Sequence, residues 1–396
     1  MKQILLISGF LLHVIFTIIF AEPPSDDSTS DLNSTFGGAG RGLWVIRHDI
    51  TSPASIDSII AIANRYGFSD LFVQIRGRGD AYYNSSYEPK AEGLDADFDP
   101  LAYIISNKGN NHFRIHAWIN VFYLWSSDSL PESERHLLNQ KPEWIVYPAS
   151  APPNSTLSQR KGDSEGLYNS PLLPEVQAYI LKIVDDILSK YDIDGIHLDY
   201  IRFPGRDFDF HPWVRRQFQK SYILDPLEFK NDKENFVQKY SYSGYELYFD
   251  RWGRFLRNGL SDFVKRLSRK VRNRNSHIII SAAVKADLVI AHLNFYQEWD
   301  QWLKEGWIDW AIPMNYATDN ATFISRIRNM LNNGLMEKLW MGVSLYNQTE
   351  NSAIDKIRAV RELSLSGFVL FSYKQFQQNK RLQNLYMHEV IKNGSK

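Results

Sequence analysis

The sequence predicts a single (β/α)8 barrel of the α/β class with an insertion after its fourth strand. Three observations predict it. Eight short, near-continuously apolar runs alternate with longer amphipathic stretches between Arg41 and Tyr386, the pattern of parallel strands covered on both faces and their crossover helices. The 396-residue length accommodates one barrel of this kind. The first run ends in Arg47-His48-Asp49, with none of the Gly-x-Gly-x-x-Gly turn that opens many doubly wound dinucleotide-binding sheets.

The elements follow in order. Gly42 to Arg47 is the first strand-like run, and Ser55 to Tyr66 has helical spacing. Leu71 to Arg76 is the second strand, with a helix near Pro100 to Asn107. Arg114 to Val121 is the third, followed by a long Pro-, Ser- and Asn-rich loop to Asn169. Leu173 to Tyr191 is strongly amphipathic, with Pro174 suited to a first helical turn. Gly195 to Tyr200 is the fourth strand. Gly205 to about Asp250 is a charged, aromatic insertion, expected to lie over the catalytic face, and Arg251 to Arg274 is a basic helix. Strands five to eight are His277–Val284, Trp310–Tyr316, Leu339–Ser344 and Gly367–Tyr373; helices at Phe295–Glu305, Phe323–Asn332 and Ala353–Leu365 separate them.

Composition narrows the function classes. Forty-five Lys and Arg balance 45 Asp and Glu, which argues against a nucleic-acid partner bound by phosphate neutralisation. Cysteine is absent, removing disulfides, thiolate nucleophiles and Cys-ligated metal. No His/Glu spacing suggests a metal site, and no cofactor is expected. Lys2 followed by apolar Ile4 to Phe20 reads as a signal peptide over residues 1–21, or an N-terminal membrane anchor if uncleaved. Residues 22–40 read as a disordered linker and 41–390 as the folded unit. The expected location is therefore export, periplasmic or extracellular.

Barrel function sits at the C-terminal ends of the strands. In order, those ends offer Arg47, His48 and Asp49; Gln74, Arg76, Arg78 and Asp80; Trp118, Asn120 and Tyr123; His197, Asp199, Tyr200 and Arg202; Lys285 and Asp287; Asn315, Tyr316 and Asp319; Ser344, Tyr346 and Asn347; and Ser372, Tyr373 and Lys374. Amides, arginines and carboxylates for hydroxyl groups, with rings for stacking, fit an oligo- or polysaccharide. Asp199 is the most informative position. It ends a buried strand, where desolvation moves a carboxyl toward the pKa of a general acid. Strand alternation is expected to place His197 and Asp199 on one side and Leu198 and Tyr200 on the other. The structural alternative pairs Asp199 with Arg76 or Arg202. Arg47, Gln74, Arg76, Trp118, Asn120, His197, Tyr200, Arg202, Asn315, Tyr316 and Tyr373 are the candidate sugar-binding residues. A second carboxylate would come from Asp49, Asp80, Asp287 or Asp319, among which spacing does not choose.

Four segments in order resemble the glycosyl-hydrolase-like family 10 barrel: Arg41-Gly42-Leu43-Trp44-Val45; Val73-Gln74-Ile75-Arg76 with Gly79-Asp80-Ala81-Tyr82-Tyr83; His116-Ala117-Trp118-Ile119-Asn120; and Asp194 to Tyr200 with Arg202-Phe203-Pro204. The resemblance implies a secreted bacterial glycoside hydrolase-like protein acting on a cell-envelope or other polysaccharide, including N-acetyl-sugar glycans of the peptidoglycan kind, with Asp199 in the acidic position. Many members carry a second Asp where Tyr200 stands, and Pro-Gln-x-Tyr where this chain has Pro313-Met314-Asn315-Tyr316. Asp194 to Tyr200 is also similar to the chitinase strand, but the acid of that group would fall at Ile201, which holds no proton to donate. Two expectations stand: carboxylate general acid/base hydrolysis, or a non-catalytic glycan-binding barrel that has lost one carboxylate.

Overall fold

The computed structural model describes residues 39–392 except 110, 153, 333, 336 and 337. The expected signal or anchor, and the linker up to residue 38, lie outside the described residues. The strands are β1 (Gly40–Val45), β2 (Asp70–Arg76), β3 (Arg114–Asn120), β4 (Tyr123–Trp125), β5 (Leu167–Tyr168), β6 (Gly195–Asp199), β7 (Ile279–Lys285), β8 (Trp310–Met314), β9 (Trp340–Ser344) and β10 (Gly367–Phe371). Eight of them close a barrel in the order β1-β2-β3-β6-β7-β8-β9-β10, each paired in parallel with its neighbours. β4 and β5 pair antiparallel outside it.

The two-residue period sorts the strand side chains into two layers. Leu43, Val45, Leu71, Val73, Ile196 and Leu198 join the core between barrel and helices. Trp44, Phe72, Trp118, Ile312, Trp340 and Val369 fill the interior as a separate cluster. Neighbouring strands bring Trp44 beside Phe72, Phe72 beside His116, Trp118 beside His197, and Asn120 beside Asp199. Gly195 admits the imidazole of His116, since a Cβ there would lie 2.2 Å from Nδ1. Helix ends follow local chemistry: Ser52 and Ser55 form a reciprocal cap at the start of the helix Pro53–Arg65, whose first residue is proline.

At the bottom face, Asp70 is fully buried and accepts from Arg114 Nε (2.7 Å) beside His116 Nε2 (2.8 Å). Burial alone would raise its pKa; the charge of Arg114 and the hydrogen bond with His116 outweigh burial and hold it at about 2. A folded-state value below the unfolded one gives stability that is complete above about pH 4 and is lost as pH falls toward 2, on the order of 2 kcal/mol. Denaturant midpoints of the wild type should therefore fall between pH 4 and 2, and Asp70→Asn should flatten that decline while lowering stability at neutral pH.

None of the insertion's residues 205–250, expected over the catalytic face, lines the central cavity. The insertion's helices Pro212–Tyr222 and Pro226–Asn231 lead into one long helix, Lys233–Arg274, broken at Ser241, where φ is 73°. The basic helix is thus longer than its expected 251–274 extent. Phe218 packs edge-on against Trp252 (5.0 Å) and Phe255 (5.6 Å), and Phe210 lies 5.2 Å from Trp252. The insertion's aromatic residues thus pack against the long helix.

Candidate active site

The C-terminal ends of the strands open into a cavity of about 330 Å³. Trp44, Trp118, Ala283 and Met314 contribute its apolar surface, with Tyr123, Tyr200, Tyr316 and Phe371 around them. On the β1–β3 side a polar chain is fixed in place. The backbone N–H and Nη1 of Arg47 donate to Gln74 Oε1 at 3.2 and 3.3 Å. Gln74 Nε2 and Trp118 Nε1 both donate to Asn120 Oδ1, at 3.3 and 3.0 Å. Asn120 Nδ2 in turn donates to Gly77 O at 2.8 Å. Side chains locked in this way meet a ligand at low ordering cost.

Asp199 is the only acidic residue among the described residues lining the cavity. It is 7% exposed, and its Oδ1 accepts from the Tyr200 N–H at 2.7 Å. Burial pushes its pKa up to about 6, against the pull of that N–H, Arg202 and Lys285; the charge of Glu165 adds to the rise. Tyr316 faces the same carboxylate, and burial, followed by the Asp199 charge, keeps its hydroxyl firmly protonated. A carboxyl that titrates near 6 in a cleft has the character of a general acid.

Glu165 is the second carboxylate of this neighbourhood. It precedes β5 in the loop of the β4–β5 ribbon, accepts from Arg202 Nη2 at 2.6 Å and takes a hydrogen bond from the Tyr168 hydroxyl. Partial desolvation of this half-exposed side chain opposes its ionisation, but Arg202, Tyr168 and Lys285 together hold its pKa below the ordinary value. Arg202 is itself packed between rings, 4.8 Å from Tyr200 and 4.9 Å from Phe295. Lys285, at the end of β7, sits 4.3 Å over Phe295. Burial and then Arg202 lower its pKa to about 8, while Glu165 and Asp199 pull the other way. The two carboxylates therefore sense each other, yet their surroundings drive their pKa values apart.

A family model for glycosyl hydrolase-like 10 matches residues 41–360. The chain belongs to this family. Among curated proteins, glycosyl hydrolase YngK of Bacillus subtilis is 28% identical over 156 residues, 36% of this chain and 28% of that relative. Glycosyl hydrolase DigH of Escherichia coli is 27% identical over 171 residues, 40% of this chain and 37% of that relative. The aligned stretches thus span about a third of those relatives. The solved glycoside hydrolase domain of PgaB (BpsB) from Bordetella bronchiseptica superposes with a TM-score of 0.67 over 89% of this chain and 99% of that one, at 13% identity, a likeness of fold.

Against this glycosyl hydrolase-like 10 barrel the candidates from sequence divide. Arg47, Gln74, Trp118, Asn120, Asp199, Tyr200 and Tyr316 line one cavity. Tyr200 departs from the expected alternation. The strand ends at Asp199, Tyr200 turns to φ 51°, and its ring lies tilted 4.6 Å from Tyr123 beside the carboxylate instead of behind the strand. Arg202 does not line the cavity, and neither does its half-exposed partner Glu165; both lie close enough for their charges to act on Asp199.

The remaining candidates lie elsewhere. His197 is fully buried under the cavity, accepting from Trp44 Nε1 (3.0 Å) and bonded to Ser281 Oγ (2.9 Å); burial and His116 hold it neutral. Asn315 turns toward the helix Asn320–Leu331, donating to Phe323 O (3.0 Å) and accepting from Arg326 (3.3 Å). Tyr373 donates to Ser58 Oγ at 3.0 Å. Asp287 and Asp319 cap helices through the N–H groups of Ile290 (3.0 Å) and Thr322 (2.7 Å), Asp80 accepts from the Arg78 N–H (2.7 Å), and Asp49 sits in a short turn; none of the four lines the cavity.

Arg76, a candidate for sugar recognition, is instead fully buried and paired with Glu88 at 2.7 Å, also fully buried. Its guanidinium also donates to Asn120 O and Val121 O, bracing the polar chain from behind. Removing one partner of such a pair strands the other charge, so Glu88→Gln should destabilise the protein by about 3–5 kcal/mol. A chemical-denaturation comparison with wild type checks this.

Sequence reading passed over Glu165 because its Ser164-Glu165-Gly166 setting lies in a long irregular loop. The only local signal is the short Leu167–Tyr168 strand that follows it.

Proposed function

We propose that this chain is a glycoside hydrolase in which Asp199 is the general acid and Glu165 the ionised partner. The observation that carries this reading is the opposed electrostatics of the two carboxylates: Asp199, desolvated, titrates near 6, while Glu165 is held ionised by Arg202 and Tyr168. Two-carboxylate glycoside hydrolysis requires this division of protonation states, one group giving a proton to the leaving oxygen and the other activating water or attacking the sugar. The aromatic lining, with the fixed amides of Gln74 and Asn120, suits a sugar ring and its hydroxyls. Family membership supports the reaction class.

The substrate we propose is a bacterial cell-envelope polysaccharide, in keeping with the export-like N-terminal segment. The test is incubation of the purified full-length protein with cell-wall glycan fragments, following new reducing ends by mass spectrometry and their anomeric form by proton NMR. Release of reducing ends by the wild type and its loss in Asp199→Asn is the expected result. Glycan binding without any release would point to the binding-only barrel instead.

A further inference from the structure

The cavity has a second charged side, away from Asp199. Arg47 and His48 line it. Arg78 and Lys374 stand close by: the charges of Arg47, Arg78 and Lys374 all act on the His48 imidazole, adding to the effect of its partial burial in disfavouring the protonated form. These residues follow β1, β2 and β10, which are adjacent in the barrel, whereas β6 with Asp199 lies on another part of the rim.

The arrangement is built into the backbone. Gly77 gives way to the Arg47 side chain, since a Cβ there would lie 2.5 Å from its Cδ. Gly79, at φ 77°, turns the loop tightly under Leu124 and His136, a conformation that favours glycine. Between them Arg78 is held with its guanidinium 4.4 Å over Trp125, and the carbonyl of Arg78 is bonded to His136 Nε2 at 2.7 Å. Among the described residues, none of Arg47, Arg78 and Lys374 forms an ion pair with a carboxylate. Two carboxylates stand among these cations: Asp80 accepts from the loop backbone and its charge acts on His48, and Asp49, beside Lys374, is pushed above its ordinary range by burial. Three cations against two carboxylates leave this side net positive.

We propose that Arg47, Arg78, His48 and Lys374 form a subsite for a carboxylate carried by a sugar of the glycan, beside the sugar whose glycosidic oxygen receives the Asp199 proton. Guanidinium groups match a carboxylate in geometry and charge, and a net cationic side to a cleft selects anionic ligands over neutral ones of the same shape. The inference rests on the glycan-cleft reading above, and its test separates the two.

The experiment measures binding by quenching of tryptophan fluorescence, with Trp44 and Trp118 in the cavity wall, on the full-length protein at low salt. The probes are a disaccharide with a ring uronate, a disaccharide with an ether-linked lactic acid, and the carboxamide of each. At least one acid is expected to bind about tenfold more tightly than its carboxamide. The preference should shrink with added salt and vanish in an Arg78→Gln/Lys374→Gln double variant, while Arg269→Gln on the outer helix leaves it in place. Which acid is favoured identifies the source of the carboxylate. Equal affinity of acid and carboxamide in the wild type overturns the subsite without need of any variant, as does a preference that survives the double substitution. Acid-selective binding without turnover supports the subsite and removes the hydrolase reading; turnover without acid selectivity does the reverse.

Discussion

Asp199→Asn is expected to reduce turnover on a glycan substrate by about 10² to 10⁴, the usual worth of a positioned general acid. Asparagine keeps the side-chain oxygen that accepts from the Tyr200 N–H, so the turn after β6 should survive. Stability should respond in the opposite direction to activity. A folded-state pKa of about 6 for a carboxyl, above its unfolded value, means that ionised Asp199 costs stability. The cost grows as pH rises through that range and is complete above it, on the order of 3 kcal/mol. Above pH 7 the inactive variant should therefore melt at or above the wild-type temperature. A variant that loses activity only because it unfolds would melt lower. The wild-type pH profile carries the same signature: the acid must hold its proton, so kcat/KM should fall about tenfold per pH unit above about pH 6.

Glu165→Gln is expected to lower kcat by a comparable factor, about 10² or more, as the loss of the base or nucleophile. It should also move the other group. Glu165 raises the pKa of Asp199, so its neutralisation should shift the alkaline limb of the residual pH profile toward lower pH. Steady-state rates across pH 4 to 8 for wild type and Glu165→Gln read that shift, which reports the charge of Glu165. Its chemical role is read by rescue: added azide should restore turnover to Glu165→Ala if the carboxylate attacks the sugar or activates water, and should not if Glu165 merely holds Arg202. Arg202 should remain packed against Tyr200 and Phe295 in the variant, so the comparison reads the carboxylate more than the fold.

The barrel was legible in the chain because its strands are short apolar runs with a two-residue period, and that pattern is local. β1, β2, β3 and β6 appear within a residue or two of where the runs place them. Asp199 was legible for a related reason: it ends a buried strand, and barrel topology sends every strand end to the same face. The helix Leu288–Asn294 and the β4–β5 ribbon were less so. Short elements carry too few periods to stand out from a loop, and tertiary packing stabilises them.

The sequence by itself determined the class of fold, the rim on which the cavity opens and the acidic residue that lines it, since each follows from residues near one another in the chain. Tertiary structure alone decided the partners. Glu165 meets Arg202 across 37 positions, and only the ribbon that folds back beside β6 brings them together. Arg76 was equally plausible as a sugar ligand or a structural cation until the chain placed Glu88 against it, with both charges fully buried. Tyr200 reads as the far side of a strand, yet a left-handed turn after Asp199 swings it into the cavity. Charge pairing and backbone reversal depend on distances in space, to which a one-dimensional pattern of apolar residues is blind.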